Sequence, residues 1–327
     1  MDKPKVYVTR KLMDEVVDFL NENCEVKYWE GDGAVPREVL EQEISSVQGV
    51  LTVITDRVDG ALLDLAPGLR IVSNMGVGFD NIDVQAATSR GVMVANTPGV
   101  LTETTADLAW ALLMAASRRV VEGDKLVRNG GWKVWSPLFM CGQDVYGATL
   151  GIVGLGRIGL AVARRAKGFG MKVIYYKRTR DLEAEKELGI EYVSMENLLT
   201  QSDFISIHCP LNPDTRNLFG DKEFEMMKPS AILVNTARGG VIDEEALYRA
   251  LRNGKIWAAG LDVFQVEPLF PEHPLLTLDN VVINPHVGSA TIATRFKMAM
   301  RAAQNLVQAV TGQVPTYLVN PEYRHHV

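Results

Sequence analysis

A glycine-rich turn near the middle of the chain constrains the fold more than any other feature of the sequence. Residues 154–159 read GLGRIG, and they follow a short apolar run at 148–153 and precede a stretch of helical character at 160–169. In such a strand–turn–helix, the first glycine permits the tight bend, the second lets a ligand approach the backbone, and the third lets helix and strand pack closely. The N–H groups at the helix N-terminus favour a pyrophosphate. The motif therefore predicts a dinucleotide site that begins in mid-chain.

Composition and charge narrow the class of protein. The chain has 327 residues, enough for two domains, and its net charge of −6 argues against a general nucleic-acid-binding surface. The longest apolar run, at 108–116, is too short to cross a membrane, and the first residues lack the apolar stretch of a signal peptide. Three widely spaced cysteines are typical of reduced thiols and show no metal-ligand spacing with histidine. We therefore expect a cytoplasmic protein with no membrane, nucleic-acid or metal partner.

Apolar runs alternate with helical patterns on both sides of the glycine turn. The strands predicted before it are 5–9, 24–29, 49–53, 70–74 and one within 92–99. The strands predicted at and after it are 148–153, 172–176, 204–208, 231–235, 258–262 and 281–284. This alternation is typical of βαβ units and a parallel sheet. The predicted fold class is α/β, with two doubly wound parallel-sheet domains: a Rossmann-type cofactor domain and a flavodoxin-like substrate domain.

Two long helices mark the predicted domain boundaries. A helix predicted at 102–126 is apolar through its first half, which is typical of a buried helix, and it leads toward the glycine turn. A second helix, predicted at 291–311, lies outside the strand–helix pattern, and we expect it to pack back on the first domain. These helices predict a substrate (catalytic) domain formed by 1–99 and 289–327, and a dinucleotide-binding domain at 100–288.

Three polar residues follow the ends of predicted strands in the second half of the chain: Arg238, Glu267 and His286. Ligands of doubly wound sheets bind outside the carboxyl ends of the strands, so the three are expected at one crevice. An arginine fork matches a carboxylate, and a histidine can exchange a proton near neutral pH. A glutamate beside that histidine orients the ring and favours its protonated form. With a nicotinamide cofactor, this set predicts hydride transfer between a 2-oxo acid and a 2-hydroxy acid.

Four segments resemble the signature segments of the D-isomer-specific 2-hydroxyacid dehydrogenases: 154–159, 235–239, 260–268 and 284–289. The resemblance covers essentially the whole chain. It implies that Arg238 binds the substrate, that Glu267 is the partner of the histidine, and that His286 is the catalytic acid and base. Within the family the chain looks most like glyoxylate/hydroxypyruvate reductases, through the further segments 77–83, 96–102 and 132–138.

The resemblance also implies binding residues and an assembly. The backbone at Val77 and Gly78 is expected to receive the substrate carboxylate, and Thr105 and Asp262 resemble nicotinamide-side contacts. Trp135 lies on a stretch that forms a dimer arm in similar reductases, so a homodimer is expected. Apart from residues 177–180, the other predicted cofactor contacts are Gly154, Leu155, Gly156, Arg157, Ile158, Cys209, Pro210, Thr236, Ala237 and His286.

The turn after the predicted strand at 172–176 bears on which nicotinamide cofactor binds. NAD-selective sites usually carry an acidic residue there, about 20 residues beyond the glycines, to bind the ribose 2′-hydroxyl. Here the turn consists of Lys177, Arg178, Thr179 and Arg180. These cations and the hydroxyl suit a 2′-phosphate, which an acidic residue would repel. We therefore predict NADP(H) as the preferred cofactor, with NAD(H) used more weakly.

The sequence thus predicts an NAD(P)-dependent D-2-hydroxyacid dehydrogenase that reduces glyoxylate or hydroxypyruvate to glycolate or D-glycerate. One alternative is another enzyme on the same fold, such as a phosphite, formate or phosphoglycerate dehydrogenase. Phosphite dehydrogenases resemble the chain in many segments but carry a lysine where Val77 stands. A second alternative is a non-enzymatic nicotinamide-sensing corepressor. The lack of obvious extra tails for partner binding argues against this alternative.

Overall fold

The computed structural model describes residues 2–326, which divide into two compact units. The first unit combines the chain up to Leu101 with the segment from Ala290 onward, and the second is Thr102–Ser289. Met1 and Val327, which fall in the predicted substrate domain, lie outside the described residues.

The first unit is built on a parallel sheet. Its strands are β1 (Lys5–Val8), β2 (Glu25–Tyr28), β3 (Gly49–Thr52), β4 (Ile71–Asn74) and β5 (Met93–Ala95). Among the described residues they lie in the order β2-β1-β3-β4-β5 and every pair is parallel. This is the flavodoxin-like order, so the predicted fold of this part is confirmed. Since β1, β3 and β4 are flanked on both sides, their side chains are almost all buried.

Helices cover both faces of this sheet. They are α1 (Asp14–Asn23), α2 (Arg37–Ile44), α3 (Gly60–Asp64), α4 (Val84–Ser89) and, from the C-terminal segment, α12 (Ile292–Val310). Helix α12 contacts β3, β4 and β5. A side chain at Gly49 would lie 2.7 Å from a Leu306 methyl group, so the glycine allows this close approach. The hydroxyl of Ser73 donates to the carbonyl of Ala302 at 2.8 Å, which fastens the helix to β4.

The second unit contains a larger parallel sheet. Its strands are β6 (Thr149–Val153), β7 (Lys172–Tyr176), β8 (Glu191–Tyr192), β9 (Phe204–Ile207), β10 (Ile232–Asn235), β11 (Ala258–Leu261) and β12 (Val281–Ile283). In the described part of the chain their order is β12-β11-β10-β9-β6-β7-β8. Counted from β6, this is the Rossmann order with one additional edge strand, and the order reverses between β6 and β9. The predicted Rossmann-type fold is confirmed.

Apolar side chains on both faces of this sheet are covered by helices. The helices are α5 (Thr102–Ser117), α6 (Val120–Arg128), α7 (Arg157–Ala166), α8 (Leu182–Leu188), α9 (Met195–Gln201), α10 (Asp221–Met226) and α11 (Glu244–Arg252). Short 3₁₀ helices occur at Lys167–Phe169, Gly239–Val241, Pro274–Thr277 and, in the first unit, Pro321–His326. Successive residues of β10 point to opposite faces: Ile232 and Val234 join the core under α5 and α7, and Leu233 joins the core under α9 to α11.

The prediction of one continuous helix at 102–126 is wrong, because the structure has two helices there. The structure breaks it into α5 and α6 at Arg119, whose φ of 54° lies in the left-handed region and ends a regular helix. Helix α5 is buried along one side, whereas α6 has no buried side chain. Of the helices the structure describes, none has both the length and the apolar character required to cross a bilayer.

Candidate active site

Three neighbouring strands of the second unit carry the predicted catalytic residues. Strands β10, β11 and β12 are parallel neighbours, so they end at the same edge of the sheet. Arg238 follows β10, Glu267 lies in the segment after β11, and His286 follows β12. The structure therefore brings the three predicted side chains to one edge, as the positions of the strand ends require.

Glu267 and His286 form a close acid–imidazole pair. The Oε2 atom of Glu267 lies 2.7 Å from Nδ1 of His286, and each side chain is 26% exposed. The N–H of His286 donates to the carbonyl of Asp262 at 2.9 Å, and its φ of 55° is in the left-handed region. With Nδ1 facing the carboxylate, the other ring nitrogen, Nε2, is left for a reacting group.

The environment of Glu267 favours its ionised form. Burial by itself would raise the pKa of this carboxyl, but the hydrogen bond and charge of His286 outweigh it and the pKa lies below its ordinary value. The N–H of Phe264, which donates to Oε1 at 2.9 Å, and the nearby charge of Arg238 act in the same direction. An ionised Glu267 stabilises a protonated His286, which is the form that can donate a proton.

Asp262 fixes the backbone that follows His286. The aspartate is fully buried, and its two carboxylate oxygens accept from the N–H groups of Val287 and Gly288, each at 2.8 Å. Burial raises its pKa above the ordinary value, and these two donors oppose the rise. A Cβ at Gly288 would lie 3.2 Å from Asp262 and 3.3 Å from Thr105, so the structure places these two predicted nicotinamide-side residues around one glycine.

Arg238 is held where β10 ends. The side chain of Asn235 donates to the carbonyl of Arg238 at 2.9 Å and accepts from the N–H of Ala237 at 3.0 Å. The arginine itself is partly exposed, and its Nη1 donates to the carbonyl of Ala237 at 2.8 Å. The next residue must be small, because a Cβ on Gly239 would lie 1.8 Å from the carbonyl carbon of Phe264. The backbone at Arg238 therefore packs directly on the segment that carries Glu267.

The three glycines of the motif have the different roles that the sequence predicts. Gly154 has a φ of 94°, and a Cβ there would lie 2.6 Å from the N atom of Cys209. A Cβ on Gly159 would lie 2.4 Å from the carbonyl oxygen of Gly154, so helix α7 packs tightly on the turn. A Cβ on Gly156, the N-cap of α7, would have no neighbouring atom within 4 Å among the described residues. The first N–H groups of α7, at Arg157 and Ile158, have no intrahelical acceptor. The geometry thus leaves room for a phosphate at a helix N-terminus.

Polar groups around this turn fit a bound dinucleotide. Thr236 is 7% exposed, and its Oγ1 has no hydrogen-bond partner among the described residues, so a ligand could satisfy it. Cys209 and Pro210 follow β9 beside Gly154, and burial raises the pKa of the Cys209 thiol to about 11, so it stays protonated. Loss of solvent lowers the pKa of His208 to about 3, which keeps this ring neutral. The neighbourhood therefore adds no negative charge against a pyrophosphate.

The basic turn after β7 is partly neutralised by acidic residues. Lys177 Nζ lies 3.2 Å from Asp181 and 3.4 Å from the carbonyl of Leu155. Arg180 makes a two-pronged contact with Glu185, at 2.8 and 2.6 Å. That hydrogen bond lowers the pKa of Glu185 below its ordinary value, so the pair stays charged.

Arg178 is the more open cation of this turn. Its side chain is 81% exposed, and Asp214 lies 3.8 Å away, at the outer limit of an ion pair. Thr179, which follows it, is exposed as well. Of the predicted phosphate-binding residues, Arg178 and Thr179 are therefore those with the fewest protein contacts to replace.

In the first unit, the turn after β4 contains the predicted carboxylate-binding residues Val77 and Gly78. The carbonyl of Val77 accepts from the amide of Asn96, and that of Gly78 accepts from the amide of Asn74, both at 2.8 Å. The carbonyl of Gly76 accepts from the N–H of Thr97 at 2.8 Å. Within residues 2–326, the N–H groups of Val77 and Gly78 have no protein acceptor. The carbonyls are thus occupied while two donors remain for an anion.

Comparisons with known proteins agree with this geometry. The family model described as "D-isomer specific 2-hydroxyacid dehydrogenase, NAD binding domain" matches residues 110–288, more than half of the chain. The chain belongs to the D-isomer-specific 2-hydroxyacid dehydrogenase family. The predicted resemblance is therefore confirmed, and the protein is a nicotinamide-dependent dehydrogenase of this family that acts on a small 2-oxo or 2-hydroxy acid.

Several dehydrogenases of the family are similar over their full length. A glyoxylate reductase from Korarchaeum cryptofilum is 52% identical over 321 residues, which cover 98% of this chain and 97% of that protein. The crystal structure of a glyoxylate reductase from Paecilomyes thermophila has a TM-score of 0.87 at 34% identity, covering 98% of this chain and 99% of that one. An NADPH-dependent glyoxylate/hydroxypyruvate reductase from Sinorhizobium meliloti, in complex with NADP and malonate, has a TM-score of 0.84 at 34% identity, covering 98% of each chain.

Some features of the site were not predicted from the sequence. The sequence did not predict that the side-chain amides of Asn74 and Asn96 hold the carbonyls of the turn after β4. Glu244 and His273 form a second acid–imidazole pair, with 3.2 Å between Oε2 and Nε2, although they are 29 positions apart in the sequence. Among the described residues, no group of three or more histidine, cysteine, aspartate or glutamate side chains is placed to hold a metal ion.

Proposed function

We propose that this dehydrogenase reduces glyoxylate and hydroxypyruvate, to glycolate and D-glycerate, with NADPH as the preferred hydride donor. The observation that carries the proposal is the 2.7 Å contact between Glu267 and His286 at the same sheet edge as Arg238. Similarity to glyoxylate reductases at about half identity over the full chain supports the choice of substrate.

The three side chains have complementary roles in the reduction. A bound reduced nicotinamide supplies a hydride to the carbonyl carbon of the substrate. Arg238 binds the 2-oxo acid and draws electron density toward its carbonyl oxygen. His286 donates a proton from Nε2 to that oxygen, which becomes the hydroxyl of the product. Glu267 holds the ring through Nδ1 and stabilises its protonated form before the transfer.

We further propose that the turn at Val77 and Gly78 binds the carboxylate of the substrate. Its two N–H groups have no protein acceptor in the described residues, and successive backbone N–H groups in a turn form an anion site. The side-chain amides of Asn74 and Asn96 hold the carbonyls of this turn and so favour its shape. A substrate that lacks the carboxylate should therefore be reduced poorly.

The test is a substrate panel with both cofactors. Purified protein is mixed with NADPH or NADH and with glyoxylate, hydroxypyruvate, pyruvate or glycolaldehyde, and oxidation of the cofactor is followed by absorbance. We expect the highest kcat/KM for glyoxylate or hydroxypyruvate with NADPH, and little turnover of glycolaldehyde, which lacks the carboxylate. If none of these 2-oxo acids were consumed with either cofactor, the proposed function would be wrong.

We propose NADP(H) as the preferred cofactor because the turn after β7 offers cations and no acidic side chain at the positions 177–180. Arg178 is exposed and only loosely paired, so it can turn to a 2′-phosphate without losing a strong contact. Arg180 is held by Glu185 and must share its charge with that carboxylate. Arg178 is therefore the residue expected to contribute most to the preference.

We propose a homodimer formed through the segment around residues 132–138. Leu138 is 88% exposed and Trp135 is 74% exposed, and Trp132 and Val134 are also largely exposed. Contiguous exposed apolar side chains of this size mark an interaction surface. The adjoining helix α6 adds the exposed Val127. A cytoplasmic location is also proposed, on the basis that Cys24, Cys141 and Cys209 are free thiols.

A further inference from the structure

The segment that carries Glu267 has no regular secondary structure of its own. Residues 262–273 lie in neither a helix nor a strand, between β11 and a 3₁₀ helix at Pro274–Thr277. A catalytic carboxylate on such a segment needs external contacts to hold it at 2.7 Å from the imidazole of His286. The contacts within the second unit show how this is done.

Glu244, in the first turn of helix α11, contacts this segment at two points. Its Oε1 accepts from the backbone N–H of Gln265 at 2.5 Å, and its Oε2 lies 3.2 Å from Nε2 of His273. The side chain of Gln265 adds a hydrogen bond to the carbonyl of Ile242 at 2.8 Å. One largely buried carboxylate therefore joins Gln265 and His273 to the start of α11.

The orientation of His273 is set by its second ring nitrogen. Nδ1 accepts from the N–H of Leu275 at 3.3 Å, so Nε2 is the ring nitrogen that carries a hydrogen toward Glu244. The ring also packs edge-on against Phe270, at 4.9 Å between centroids. Both members of this pair are about nine-tenths buried, which makes the contact less exposed to solvent than the one between Glu267 and His286.

The contact of Glu244 lies next to the donor that holds Glu267. Phe264, whose N–H donates to Oε1 of Glu267, immediately precedes Gln265, whose N–H donates to Glu244. The same two residues pack on Gly239, directly after Arg238. A shift of this dipeptide would therefore move Glu267 relative to both His286 and Arg238.

We propose that Glu244 and His273 are positioning residues for the reaction, which hold the segment at 264–273 so that Glu267 meets His286. They do not touch the reacting atoms and act through the backbone at Gln265. This inference rests on the proposed function, in which Glu267 stabilises the protonated imidazole. It assigns a catalytic consequence to a hydrogen-bonded pair that is separate from the residues that bind substrate or cofactor.

The experiment compares Glu244→Ala with Glu245→Ala in the full-length protein. Glu245 is the next residue in the same helical turn, but its side chain is 91% exposed, so it is a matched control. We expect Glu244→Ala to lower kcat for glyoxylate by about 10- to 100-fold, the cost of a small misplacement of catalytic groups. KM for the reduced cofactor should stay unchanged, and Glu245→Ala should behave like the wild type.

Two further arms separate positioning from a loss of stability. In a Glu267→Gln background, Glu244→Ala should produce little additional loss of kcat, because both changes act on the same contact. Hydrogen exchange in the free protein should show faster exchange of the Phe264 and Gln265 amides in Glu244→Ala, and not in the control. Additive losses of kcat, or unchanged exchange at these amides, would overturn the inference.

Substitution of His273 provides a second route if Glu244→Ala does not fold. His273→Gln retains a side-chain N–H for Glu244 and should keep most of the activity, whereas His273→Phe should lose it with the same split between kcat and KM. Equal activities of these two variants would contradict the proposal. A wild-type protein that reduces no 2-oxo acid would overturn the proposed function instead, and amide exchange would then still decide whether the segment is held by Glu244.

Discussion

Replacing Glu267 with glutamine should lower the rate of reduction. The carboxylate has a separate oxygen for each donor, His286 at 2.7 Å and Phe264 at 2.9 Å, whereas an amide has only one acceptor. Glutamine also removes the negative charge that stabilises the protonated ring. A charge-assisted hydrogen bond contributes about 1.5–3 kcal/mol, so reduction near neutral pH should fall by about 10- to 150-fold.

Rates of NADPH oxidation with glyoxylate, measured near neutral pH, would give the size of this fall. Glu272→Gln, an exposed change in the same segment, serves as the control. An unchanged rate of reduction in Glu267→Gln would exclude this role of the carboxylate.

Three further groups of variants test the cofactor preference, the glycine turn and the proposed assembly. Arg178→Ser should raise KM for NADPH far more than KM for NADH in steady-state kinetics, because the exposed guanidinium is placed to contact a 2′-phosphate, which NADH lacks; equal increases would exclude that role. Gly156→Ala should leave thermal unfolding unchanged yet weaken NADPH binding in a fluorescence titration, whereas Gly154→Ala, at a φ of 94°, should destabilise the fold by at least about 1–3 kcal/mol in denaturant unfolding. Leu138→Asp should shift the mass measured by light scattering from dimer to monomer, with the exposed Ile292→Asp as control; a monomeric wild type would contradict the proposed assembly.

Local patterns were sufficient to predict most of the architecture. Parallel strands that are covered on both faces appear in the sequence as continuous apolar runs, and β7 has the predicted bounds. Arg238, Glu267 and His286 lie where expected because each follows an apolar run that ends at the same edge of the sheet. The break at Arg119 was missed, since the residues on both sides favour a helix and the left-handed conformation of an arginine has no sequence signal.

Long-range pairs of polar residues could not be predicted in the same way. Glu244 and His273 are joined only by the fold, and neither lies at the end of a strand. The charge of the basic turn was also overestimated from the sequence. Asp181 and Glu185 begin the next helix, and their contacts with Lys177 and Arg180 depend on how the chain turns between β7 and α8. Phosphate binding by such a turn is therefore better indicated by the number of loosely paired cations than by the total number of cations.

The role of His286 as proton donor is tested most directly by comparing the reduction of glyoxylate by the wild type and by His286→Ala at saturating NADPH. We expect steady turnover by the wild type and loss of nearly all of it in the variant, with an unchanged dissociation constant for NADPH in a fluorescence titration. This outcome would assign the proton transfer to His286 and would show that the substitution leaves cofactor binding at the glycine turn unchanged. Retention of the wild-type kcat by His286→Ala would exclude His286 as the proton donor.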